Sequence, residues 1–72
     1  MTEEQANTLK RRHSPQLLRL PGVSGVGVER ADDGYTVTVY LASADDATLR
    51  QLPADLDGHP YRRVVTGPFS KQ

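Results

Sequence analysis

The chain has no cysteine, which removes disulfides and thiolate metal centres together. That absence carries weight in 72 residues, because domains this small hide only about 60% of their unfolded surface and often need a staple. Imidazole ligands are scarce too, since only His13 and His59 are present and they lie far apart. Oligomerisation or attachment to a partner is the remedy left open. No run approaches the ~20 apolar residues that a membrane span requires. The opening Met1-Thr2-Glu3-Glu4 is acidic and lacks the apolar core of a secretory signal. A soluble chain is expected, and the missing cysteine fits a reducing cytoplasm. Net charge is zero, but unevenly so: residues 1–22 carry +2, residues 23–58 carry −5 and residues 59–72 carry +3. A basic-acidic-basic pattern can steer a partner or a second copy, although solvated acidic loops explain it as simply.

Two apolar stretches, residues 23–28 and 35–41, read as the arms of a β-hairpin joined by Ala31-Asp32-Asp33-Gly34. Pairing Arg30 with Tyr35 sets Val28 opposite Val37 and Val26 opposite Val39 on one side. Gly27 then faces Thr38, and Gly25 faces Tyr40, on the other. A slip of two residues keeps this division of faces, and only a bulge disturbs it. Strand glycines mark a bend or a close approach, and the Tyr40 ring can lie over the bare backbone at Gly25. The alternative is a flat strip left open for a partner's backbone.

Thr2-Glu3-Glu4-Gln5 matches a capping box, with two glutamates suited to the helix dipole. The apolar face behind it is thin, chiefly Ala6 and Leu9, so residues 1–13 are expected to fray or move. Ser14-Pro15 suggests a break and a new helix start, with Leu17, Leu18 and Leu20 turned inward and Pro21-Gly22 as the stop. Ser43 or Asp45 can cap a second helix running to Leu52, with Ala44, Leu49 and Leu52 on its inner face and Pro53 ending it. Asp57-Gly58 is a turn. Residues 61–66 read as a last strand ended by Gly67-Pro68. The expectation is a single α+β domain over residues 1–72, with an ordered core at 14–69. Its element order is α-β-β-α-β, with an antiparallel or mixed three-stranded sheet. A crossover makes its two strands parallel. We place the last strand beside the first and antiparallel to it, giving sheet order 2-1-3 with both helices on one face.

The segments Leu20-Pro21-Gly22-Val23-Ser24-Gly25-Val26-Gly27-Val28, residues 35–41, Leu56-Asp57-Gly58-His59-Pro60-Tyr61 and Val64-Val65-Thr66-Gly67 resemble a small α/β module. That module precedes bacterial trypsin-like serine peptidases and also occurs as short stand-alone proteins. The resemblance rests on glycine and valine spacing over roughly residues 17–69. It implies a non-catalytic accessory or regulatory role, with a serine peptidase as a partner, and it transfers no active-site residue. His59 and Arg63 stand where that module would carry small apolar residues.

Catalytic constellations are weak. His13 and Ser14 are adjacent and do not face each other on a helix, and a His59 pairing with Asp57 or Asp55 reads as solvated turn chemistry. Asp32-Asp33 and Asp45-Asp46 lack calcium-loop spacing. The glycines of residues 22–27 lie within a strand, whereas a dinucleotide-binding loop opens a helix. No catalytic, cofactor or metal residue is assigned, and no enzyme activity is expected. Lys10-Arg11-Arg12-His13, Arg19 and Arg62-Arg63 with Tyr61 are the candidates for nucleic acid, opposed by the acidic middle and the neutral total. Protein binding or self-association is the leading expectation, through an uncovered strand edge or the open sheet face. Its candidate residues are Thr36, Thr38, Tyr40, Tyr61, Arg62 and Arg63. The alternatives are a propeptide-like or inhibitory role toward a peptidase, and weak nucleic-acid binding.

Overall fold

A computed structural model describes residues 1–42 and 46–66. Helix α1 (Glu3–Leu18) is followed by strands β1 (Val23–Ala31) and β2 (Gly34–Leu41), helix α2 (Asp46–Gln51) and strand β3 (Arg62–Val65). The expected α+β class and element order are present.

The capping box forms as the sequence implies. Thr2 Oγ1 accepts from the Gln5 amide at 3.1 Å, and Gln5 Oε1 accepts from the Thr2 amide at 2.9 Å. The expected break at Ser14-Pro15 does not occur, and α1 runs through Pro15 without interruption. Proline deletes one donor, the one that would reach the carbonyl of Arg11. Ser14 Oγ donates to the Lys10 carbonyl at 2.6 Å. Ala6, Leu9 and Leu17 are all buried, so continuing the helix seats apolar groups from both sides of the proline. Leu18, expected inward, is instead 52% exposed, while Leu20 packs against the core.

The hairpin register agrees with the reading from sequence. Val28 pairs with Val37, Val26 with Val39, Gly27 with Thr38 and Gly25 with Tyr40. The loop is the two residues Asp32-Asp33, closed by Ala31 opposite Gly34, where glycine takes φ +142°. A bulge between Val23 and Gly25 adds Ser24 as an extra residue. It sets Val23 opposite Leu41 and so returns Val23 to the core side.

The sheet order departs from the expected 2-1-3. It is β1-β2-β3, with β3 parallel to β2 and on its far side from β1. The strand after the crossover therefore neighbours β2 rather than β1. The reason lies in the inner layer, where α1 packs over β1 and β2 and occupies the route across the hairpin. A connection carrying only the six-residue α2 steps over to the free edge of β2, about 4.8 Å away. The Thr66 amide and hydroxyl both donate to the Leu41 carbonyl, at 2.8 and 3.2 Å, and fix that junction. Strand β3 is shorter than the expected 61–66. The expected caps Ser43 and Asp45, the expected inner-face residue Ala44 and the expected stop Gly67-Pro68 lie outside the described residues.

The core is one cluster of Leu9, Leu17, Val37, Val39, Leu41, Leu52 and Leu56, with Val23, Val26, Leu49 and Tyr61 against it. Residues from both helical segments meet the odd-numbered side chains of β2. Both helices therefore cover the same face, and the other face carries no helix.

Candidate functional site

Register places Gly25, Gly27 and Glu29 of β1, Thr36, Thr38 and Tyr40 of β2, and Arg62 and Val64 of β3 on the helix-free face. Tyr40 lies across the glycine strip. A Cβ built on Gly27 would stand 3.2 Å from Tyr40 Cε2, and one on Gly25 would stand 3.8 Å from Cδ2. Gly27 thus makes room for the ring, while a side chain at Gly25 would meet it only at ordinary contact distance; the ring covers the strip. The ring is then pinned at its tip. Tyr40 Oη donates to Glu29 Oε2 at 2.6 Å, and Arg62 Nη1 donates to Glu29 Oε1 at 3.1 Å. One carboxylate therefore joins all three strands. Accepting that bond, Glu29 raises Tyr40 above the ordinary phenol value, with burial and the carboxylate charge adding to the shift.

Thr38 sits on this face with no exposed surface, and among the described residues its hydroxyl has no hydrogen-bond partner. Thr36 is half-buried beside it. Of the six candidate residues, Thr36, Thr38, Tyr40 and Arg62 share the helix-free face. Tyr61 and Arg63 do not. Tyr61 packs against the core, and its hydroxyl donates to the Pro53 carbonyl at 2.5 Å. Arg63 pairs with Val39, which puts it on the helix side, and its guanidinium stacks 5.4 Å from the Tyr61 ring centre.

Glu29 went unrecognised in the sequence reading. The alternation that placed Gly25 and Gly27 outward also placed Glu29 outward, and that parity was the available signal. Arg62 could be brought to it only by knowing the neighbour of β3.

A second polar cluster lies between α1 and the 57–58 turn. Arg12 Nη1 and His13 Nε2 approach Asp57 Oδ2 at 3.1 and 3.2 Å. The His13 contact first, and then the Arg12 charge, hold Asp57 below the usual carboxylate range. Asp57 and Gly58 take φ +53° and +83°. These angles belong to the tight turn in which Leu56 and His59 exchange two backbone bonds of 2.9 Å. His13 is thus the imidazole in contact with Asp57, with His59 adding only a weaker charge effect. The neighbouring Ser14 Oγ is bonded to backbone rather than turned to His13. The arrangement ties α1 to the 57–58 turn. A groove of about 500 Å³ between them is lined by Glu4, Thr8, Arg12, Asp57 and His59, and its central charges are already paired to each other.

Three of the candidate cations have contacts of their own: Arg12 is paired with Asp57, Arg62 with Glu29, and Arg63 rests on Tyr61. Among the described residues, no group of three metal-ligating side chains converges and no helix is long and apolar enough to cross a membrane. Set against protein-family models, curated proteins and solved structures, the chain matches none of them.

Proposed function

We propose that this chain is a non-enzymatic protein-interaction module of the cytoplasm, binding through the helix-free sheet face and the strand edge beside it. The observation that carries the reading is the one-sided construction. Every residue of the core cluster lies on the helix side, while Tyr40, Glu29 and Arg62 hold one another in place on the bare side. A tyrosine and an arginine fixed by a shared carboxylate lose little side-chain freedom on binding, which favours their use as anchors. The charge pairs support protein over nucleic acid as partner, since two of the arginines that would meet phosphate are engaged within the molecule.

Position-specific photo-crosslinking in cells tests this reading. A photoreactive side chain at Thr36 or Val64, on the bare face, is expected to give discrete protein adducts. The same group at Asn7, exposed on α1, is expected to give none. Adducts of equal yield from Asn7, or none from the sheet positions, would end the proposal.

A further inference from the structure

We infer that the outer edge of β1 is a self-association edge, where a second copy of this chain adds its own β1 antiparallel with Gly27 opposite Gly27. The inference rests on the interaction reading and narrows it to one partner and one register.

The backbone geometry decides which groups are on offer. Ala31 and Gly34 close a two-residue loop and so form a hydrogen-bonded pair. Bonded and non-bonded pairs alternate along an antiparallel ladder, so Glu29–Thr36, Gly27–Thr38 and Gly25–Tyr40 are also bonded pairs. The Tyr35 amide confirms the phase: it turns away from β1 and donates to the Met1 carbonyl at 2.8 Å. The N–H and C=O groups of Val26, Val28 and Arg30 consequently point away from β2. Among the described residues nothing bonds to them. The far side of the sheet is treated differently. Met1 covers the edge of β2 at Tyr35, and β3 is four residues long with two consecutive arginines. Short, charged or covered edges resist further pairing, whereas β1 spans nine residues with no proline or lysine and no charge before Glu29.

A copy is the fitting occupant because the strand complements itself. Centred on Gly27, the pairing opposes Val26 to the copy's Val28 and Val28 to the copy's Val26. All four carry outward backbone groups, and their side chains lie on the helix side, where each is only half-buried. Glu29 then meets the copy's Gly25, which has no side chain, and Arg30 meets the copy's Ser24. No like charges oppose each other. A formal net charge of zero removes long-range repulsion between copies. The product is a two-fold, six-stranded sheet of order β3-β2-β1-β1-β2-β3, with all helices on one side. It supplies the stabilisation that a cysteine-free domain of this size otherwise lacks.

Sedimentation equilibrium of the whole chain, up to about 1 mM, is combined with isotope-filtered NMR on a mixed labelled and unlabelled sample. A monomer–dimer equilibrium is expected, with an intermolecular contact between the Gly27 α-protons of the two copies, because Gly27–Gly27 would be a close non-bonded pair. Val28→Pro removes one outward donor and no β1–β2 ladder bond, so it should be monomeric with the β1–β2 contacts intact. A strict monomer at the highest concentration would overturn the inference, as would a dimer without the Gly27 contact. A folded Val28→Pro protein that still dimerises would do the same. The NMR contact is read on the unmodified chain, so a poorly folding variant leaves the test in force. A monomer that still crosslinks at Thr36 would retire this inference and keep the broader reading.

Discussion

Replacing Leu41 with alanine is expected to lower the unfolding free energy by about 3 kcal/mol, the middle of the range for a leucine emptied from a tight interior. Leu41 has no exposed surface and is among the largest fully enclosed side chains. It sits where the three strands converge, opposite Val23 on one side and Val65 on the other. Its carbonyl also receives both donors of Thr66. Domains this size have a total stability of only about 4–10 kcal/mol, so the loss is a large share. Thermal denaturation should show the midpoint falling by about 15 °C. Leu41→Met, which keeps the volume, should cost less than about 1.5 kcal/mol. Equal losses for the two variants would show that Leu41 is not tightly enclosed.

Gly22→Ala is the second large effect, and it has two separable causes. Gly22 takes φ +88°, where an L-residue pays roughly 1–2 kcal/mol. Its added Cβ would also stand 2.6 Å from Thr48 Oγ1 and 2.9 Å from Thr48 Cγ2, so Thr48 or the Gly22 backbone must give way, at a further cost of about 1–3 kcal/mol. Gly58→Ala isolates the first cause, because Gly58 has φ +83° and nothing within 4 Å of its added Cβ. Chemical denaturation should therefore place Gly22→Ala well below Gly58→Ala. In a Thr48→Ala background the Gly22→Ala penalty should shrink, a non-additivity that reports the contact itself. Additive losses would mean that α2 does not press on Gly22.

The hairpin was legible because its information is local. Valines at alternate positions and the turn residues Ala31-Asp32-Asp33-Gly34 determine both faces, and the register to within a slip of two residues, without reference to the rest of the chain. Tyr40 over the glycines followed from the same parity. The position of β3 was not legible, since its four residues pair equally well with either edge of a hairpin. What decides the matter is where α1 lies, and the α1 sequence invited a break at Pro15. That helix continues because burial of Leu17 together with Ala6 and Leu9 outweighs one missing bond, a tertiary effect invisible to propensity. The candidate surface divides in the same way. Thr36, Thr38 and Tyr40 belong to the hairpin and were placed on the correct face. Tyr61 and Arg63 depend on the crossover, and they turned out to pack on the helix side.

The sheet order underlies both proposals, and amide hydrogen exchange on dilute, monomeric protein interrogates it residue by residue. Slow exchange at Val39 and Leu41, whose amides point toward β3, together with fast exchange at Val26 and Val28, is the predicted pattern. The reverse, with Val26 and Val28 protected and Val39 and Leu41 open, would move β3 to the other edge and leave no free β1 for a partner to join.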